Sequence, residues 1–178
     1  MVMAKAPGTG QLSSLIVGPY EETAAEYLPY NPEASRVAMA LIKTIVAAKH
    51  DLQVEHIGST AVAGAWGKGI IDLLVLYKPG DLESARAALD RLEFQRQSGP
   101  EPFPESRPMR VGSVEYLGRG YRIHAHVVEI GSDEARDLIR FRDLLRVNTS
   151  LRRAYETEKR AILARGITRS TEIGRAHV

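Results

Sequence analysis

The amino-acid sequence predicts an α+β domain: a mixed β-sheet flanked by helices and finished by a C-terminal αα pair. Three observations carry that expectation. Helical and strand-like stretches follow one another in the order α, β, β, α, β, β, α, α, which is not the strict repeat of a parallel α/β fold. The run "IIDLLVLY" is almost continuously apolar and of strand length, the pattern of a strand covered on both faces. Two amphipathic stretches near the C-terminal end are joined by a short Asn-containing turn, which makes them antiparallel neighbours.

Each element has its own local reason. "NPEASRVAMALIKTIVAAKH" opens with Asn31 as cap and Pro32 at the first helical position. Val37, Leu41, Ile45 and Val46 then recur at helical spacing, so this helix should lie on the sheet. "LQVEHIG" is short, β-rich and ends at Gly58. "DLESARAALDRLEF" is amphipathic, with acids in its first turn where the helix dipole favours them. "QSGPEPFPESRPMRVG" holds four prolines and two glycines and reads as an exposed loop. "SVEYLG" and "YRIHAHVVEI", separated by Arg119 and Gly120, read as a hairpin. "SDEARDLIRFRDLLRV" starts with a Ser cap and acids, and "TSLRRAYETEKRAILARG" with a Thr or Ser cap, stopping at Gly166.

Composition narrows the function classes. An apolar share of 44% over 178 residues is enough for a real core. The absence of cysteine excludes disulfides and thiolate metal sites and fits a reducing compartment. No window approaches the roughly 18 consecutive apolar residues of a membrane helix, and "MVMAKAPGTGQLSS" lacks the apolar centre of a signal peptide. A cytoplasmic location is therefore the default expectation, with no membrane partner. A net charge of +2 demands no nucleic acid. From Ser132 onward eleven Lys or Arg face seven acids, mostly at helical spacing as in "RRAYETEKR", which predicts a solvated helix face.

Chemistry concentrates in two stretches. The first is "HIGSTAVAGAWGKGIIDLLVLY", residues 56–77. Gly58, Ser59 and Thr60 make a turn of backbone amides and hydroxyls suited to an anion, although Ser59 or Thr60 could equally cap a short helix from Ala61 to about Ala65. Lys68 adds a cation, but a Walker-type phosphate loop is rejected: Gly69 follows Lys68, and Val62 stands where the first glycine belongs. Asp72 lies inside the apolar strand, where a bare carboxylate must be neutralised, hydrogen-bonded or bound to a metal. Leu74 shares its face, at the place where a two-metal site would prefer a second acid.

The second stretch is "RIHAHVVE". Arg122, His124 and His126 alternate onto one face of their strand. They could bind a phosphate, or the histidines could bind a metal with Asp72; a plain polar sheet surface is the alternative. Glu129 points to the opposite face.

These residues carry a resemblance. "VEHIGSTAVAG…GKGIIDLLV", the later "IHAHVVE", the helical "FRDLLRVNTSLRRAYETEKRAI" and the opening "PYNPEASRVAMAL" together resemble the GrpB family (UPF0157), whose members have a nucleotidyltransferase-like fold. The likeness runs from about Pro29 to Ser170. It implies a Gly-Ser turn, here Gly58 and Ser59, beside a nucleoside triphosphate site, and a strand aspartate, here Asp72, on Mg²⁺ or another divalent ion. Leu74 occupies the place of the second metal carboxylate of active superfamily members. Ala63 and Gly69 stand where the family usually has proline. A domain related to GrpB is fused to dephospho-CoA kinase in some actinobacteria, which implies a chaperone-like or regulatory role there.

The expected organisation is an N-terminal tail or extension over 1–28, a GrpB-like domain over 29–171, and a non-native tail over 172–178. The last part rests on "IGRAHV", an in-frame translation of ATC-GGA-AGA-GCA-CAC-GTC, which matches a sequencing-library adapter. Two functions follow. One is metal-dependent nucleotidyl transfer, with Asp72, His124 and His126 catalytic, Asp72 and His126 on the metal, and Gly58, Ser59, Thr60, Lys68 and Arg122 on the phosphates. His124 or His126 would then deprotonate the acceptor. The other is a non-catalytic module that binds a nucleotide, a CoA-like molecule or another small phosphate ligand, or acts as a chaperone-like regulatory partner. A further alternative makes Asp72, His124 and His126 a hydrolytic metal site with another acid from the loop.

Overall fold

The computed structural model describes residues 15–22 and 26–165. Five strands form one sheet: β1 (Gln53–Ile57), β2 (Ile71–Tyr77), β3 (Gln95–Arg96), β4 (Met109–Tyr116) and β5 (Arg119–Glu129), in the spatial order β1-β2-β5-β4-β3. Helices α1 (Pro32–Ala48) and α2 (Leu82–Arg91) pack on one face, and α3 (Asp133–Val147) pairs with α4 (Thr149–Ala164). β2 and β5 are parallel and the other pairs antiparallel, so the sheet is mixed, as predicted. β3 is a two-residue addition to the predicted order. Among the described residues no helix is long and apolar enough to cross a membrane. Gly166 and residues 172–178 lie outside the described residues.

Strand alternation divides the core. Leu73 and Val75 of β2, with Ile123, Ala125 and Val127 of β5, meet Val37, Leu41 and Ile45 of α1 and Ala88 and Leu89 of α2. On the other face Leu74, Leu76 and Val128 meet Ala135, Leu138 and Ile139 of α3. β2 is therefore covered on both sides. Val62 and Ala65, in the connection between β1 and β2, pack against Leu145, Leu151 and Tyr155 of the αα pair.

The caps follow hydrogen-bond accounting. Asn31 accepts from the Glu33 amide at 3.0 Å, and Ser132 from that of Ala135 at 3.2 Å. α4 differs from expectation: its cap is Asn148, which accepts from the Leu151 amide at 2.9 Å. That one extended residue ends α3 and starts α4, so Thr149 is already helical. The hairpin turn is also displaced, to Leu117 and Gly118, whose φ values are 51° and 73°. Two left-handed residues match the twist of the flanking strands, and Arg119 then pairs with Tyr116 inside the ladder.

The proline-rich stretch is more ordered than its composition implied. Its end, Met109–Gly112, belongs to β4. Arg110 is 1% exposed and donates to Asp90 at 2.6 Å and to both Glu105 oxygens at 2.9 and 3.0 Å. A buried guanidinium needs such partners, and this one fastens the loop to the sheet. Residues 15–22, within the expected tail or extension, also pack. Gly18 and Ser113 exchange backbone hydrogen bonds at 2.7 and 3.1 Å, covering the outer edge of β4. Val17 sits over Gly112, where a Cβ would collide with it and lie 3.4 Å from Phe94. Gly112→Val should therefore unseat this strap and cost about 1–3 kcal/mol by overpacking, read from urea denaturation; unchanged stability would show that the strap is not held there.

Candidate functional site

The turn after β1 is shaped by one close approach. Gly58 has φ 73° and ψ −175°, a conformation essentially reserved for glycine. A Cβ there would strike an Asp72 carboxylate oxygen and lie 3.1 Å from both Cβ and Cγ of Asp72. The backbone thus passes directly over the carboxylate. A single 3₁₀ turn, Ser59–Ala61, follows in place of the longer helix considered above. Its first internal bond runs from the Ala61 amide to the Gly58 carbonyl at 3.1 Å, so the Ser59 and Thr60 amides have no acceptor within the turn.

Thr60 has a structural task. Its hydroxyl donates to the Ile70 carbonyl at 3.1 Å, so His56 Nε2, 2.9 Å away, must be the donor to Thr60 Oγ1. Burial pushes the His56 imidazole down to about 4 against the pull of Asp72, and Arg146 and Arg142 add to the lowering. Three arginines brace the same connection. Arg142, Arg146 and Arg152 donate to the carbonyls of His56, Ala61 and Ala63 at 3.1, 3.0 and 3.3 Å. They had been expected on a solvated helix face. They turn inward because an irregular segment leaves carbonyls that need donors, and arginine carries five.

Strand register assembles the ionisable cluster. Asp72 pairs with His124 and Leu74 with His126 across the parallel β2–β5 ladder. Asp72 Oδ1 lies 3.7 Å from His124 Nδ1 and 3.6 Å from His126 Nε2, and one ligand atom from each residue falls within 4.8 Å of the others. Behind His124, the Tyr20 hydroxyl is 3.0 Å from Nε2. Behind His126, an Arg107 Nη1 is 3.2 Å from Nδ1, and the Phe103 ring meets the imidazole edge-on.

The electrostatics suit a cation. Burial alone would raise the Asp72 carboxyl, but the adjacent His126 and the charges of His124, His126 and Lys159 outweigh it and hold it below its ordinary value. Burial pushes His124 down to about 4 despite Asp72, with His126, Arg122 and Lys68 assisting. An ionised aspartate therefore faces a neutral imidazole. The separations exceed hydrogen-bond length. They suit two ligands on one ion, which lie about 3.4 Å apart when each is about 2.1 Å from a tetrahedral metal. Two imidazoles and one carboxylate fit zinc, iron, nickel or manganese better than Mg²⁺, which prefers oxygen.

A cleft of about 310 Å³ adjoins this cluster. Ser59, Thr60, Lys68 and Arg122 line it, together with Arg119 and the start of α1 at Asn31. Burial, with Lys159 and Arg122 nearby, lowers the Lys68 ammonium to about 8 against the opposing pull of Asp72. All eight residues singled out in the sequence thus come together, four on the cleft and Gly58, Asp72, His124 and His126 beside it. Leu74 is fully buried in the cluster under α3. Sequence reasoning missed Tyr20, Phe103, Arg107 and the buried role of His56. The first three arrive from segments with no periodic signal, and Tyr20 lies 104 residues from its partner.

A family model described as GrpB protein matches residues 25–172. The chain belongs to the GrpB family. A UPF0157 protein of Halalkalibacterium halodurans is 33% identical over 141 residues, 79% of this chain and 68% of that protein. Another, from Streptomyces coelicolor, is 35% identical over 112 residues, 63% of this chain and 55% of that protein. The chain thus spans between 50% and 68% of the length of the curated relatives it matches. GrpB from Enterococcus faecalis is similar in structure with a TM-score of 0.55 and 22% identity, over 78% of this chain and 84% of that one. Cid1 poly(U) polymerase, in its MgGTP-bound crystal structure, matches with a TM-score of 0.50 and 14% identity, over 70% of this chain and 39% of that one. The fold of this GrpB chain is therefore nucleotidyltransferase-like.

Gly58 and Gly64 both have positive φ, but nothing lies within 4 Å of a Cβ at Gly64. Gly64→Ala should cost about 1–2 kcal/mol for the left-handed backbone. Gly58→Ala should cost about 1–3 kcal/mol more, for the collision with Asp72. Equal losses in urea denaturation would mean that Asp72 has room to move.

Proposed function

We propose that this GrpB chain binds a nucleotide or related phosphate ligand in the cleft, with a divalent ion held by Asp72, His124 and His126. The convergence of those three side chains beside the Gly58 turn carries the reading. Lys68 and Arg122 offer charge to phosphate oxygens, and the Ser59 and Thr60 amides offer hydrogen bonds. An ion at the cluster, when bound, neutralises phosphate charge and polarises phosphorus–oxygen bonds. Lys68, Arg119 and Arg122 outnumber the one acid that lines the cleft, Glu26, so the cleft favours anions.

The binding reading is favoured over nucleotidyl transfer. Transfer asks for a second carboxylate beside Asp72, and that position is the buried Leu74. In this reading both histidines ligate the ion, so neither serves as general base, and for His124 burial adds a second reason. A histidine lowered to about 4 is a poor base near neutral pH.

Calorimetric titration with GTP, UTP and inorganic triphosphate, with and without Mn²⁺ or Mg²⁺, tests the reading. Metal should tighten binding in the wild type, and Asp72→Asn should remove that gain. Nucleotide affinity indifferent to both metal and Asp72 would falsify it. The pH profile gives a second check. Lys68 carries its charge below its pKa, so metal-free triphosphate affinity should fall as pH rises through about 8. Lys68→Arg should flatten that fall, because guanidinium stays charged; the same decline in the variant would remove Lys68 from the phosphate site.

A further inference from the structure

The two histidines of the cluster are held by unlike partners. His124 Nε2 faces the Tyr20 hydroxyl, which can accept as well as donate. The Nδ1 lone pair of His124 can therefore turn toward Asp72. His126 Nδ1 faces an Arg107 nitrogen at 3.2 Å, and a guanidinium only donates. His126 Nδ1 must accept, which leaves the single proton of a neutral ring on Nε2. Nε2 is the atom 3.6 Å from Asp72, the one an ion needs as a lone pair. Metal capture requires the other tautomer, with the Nε2 proton lost to solvent and one gained at Nδ1. An Nδ1–H then confronts the Arg107 donor.

Arg107 is anchored at the same time on its other edge. Its Nε donates to Glu134 Oε1, in the first turn of α3, at 2.8 Å, and its Nη2 donates to the same oxygen. Its guanidinium also lies 4.9 Å from the centre of the Phe103 ring. The loop carrying it is fastened independently by Glu105 on Arg110. The side chain can leave His126 without releasing the loop.

We propose that Arg107 is a latch on metal loading: held in place by Glu134, it occupies His126 Nδ1 and keeps the metal-facing nitrogen protonated until that contact breaks. The proposal rests on the metal reading above. It makes Arg107 and Glu134 positioning residues with effects of the same sign. Arg107→Met removes the donor, so Zn²⁺ should bind about tenfold tighter, the equivalent of one charged hydrogen bond that no longer has to be broken. Glu134→Gln loosens the anchor that aims Arg107 at His126, so Zn²⁺ should bind more tightly, by less than in Arg107→Met. Arg107→Lys keeps a donor and should stay near wild type.

Zinc titration calorimetry reads these affinities, and long-range proton–nitrogen NMR of the metal-free protein reads the His126 tautomer directly. The expected result is Nε2–H in the wild type and loss of that preference in Arg107→Met. An Nδ1–H tautomer in the metal-free wild type overturns the latch. So does an Arg107→Met protein that binds Zn²⁺ no better than a wild type that does bind it. Should neither wild type nor Arg107→Met take up Zn²⁺ or Mn²⁺, the metal reading falls and the latch with it.

Discussion

The site depends on the backbone of Gly58 lying against the carboxylate of Asp72. That contact ties the end of β1 to the second residue of β2 and forces a left-handed dihedral that other residues adopt only with strain. It also places the Ser59–Ala61 turn, of which Ser59 and Thr60 line the cleft. Asp72 is positioned in turn by the parallel ladder with β5, which brings two imidazoles to the same carboxylate. A shift of one residue in that ladder would put Asp72 and the two histidines on opposite faces.

Irregular segments are expensive to hold in one shape, and this chain holds its irregular segments with polar brackets. Arginines of the αα pair satisfy carbonyls of the β1–β2 connection, and Glu156 accepts from the Trp66 amide at 3.1 Å. Leu28 and Gly67 exchange backbone hydrogen bonds at 2.7 and 3.0 Å, closing the other side of that connection. Arg110 performs the same service for the proline-rich loop. Most of these brackets join segments distant in sequence, which pins the connection although little of it is regular structure.

The distribution of charge fits the proposed pairing of an anion in the cleft with a cation at the cluster. Asp72 stays ionised because the His126 contact and Lys159 help outweigh its burial, while burial keeps His124 and His56 neutral. Lys68 and Arg122 line the cleft beside the cluster. Membership of the GrpB family and the nucleotidyltransferase-like fold agree with this layout. Leu74 separates it from a two-carboxylate metal clamp.

Much of this was legible in the sequence. Apolar periodicity specified the helices, the doubly covered β2 and the mixed sheet, because burial must repeat with the geometry of each element. Residue chemistry specified Gly58, Asp72, His124 and His126, since a carboxylate in an apolar strand and paired histidines on one face are unusual enough to need a reason. Other features have no such signature. Asn148 and the Leu117–Gly118 turn were misplaced by a residue or two, where local preference is shared by neighbours. The packing of residues 15–22, Arg110 in the proline-rich loop, the inward arginines of α3 and α4, and Tyr20 and Arg107 behind the histidines were decided by tertiary structure alone. Most of their partners lie in other elements, and a hydrogen bond across space leaves no pattern in the spacing of residues.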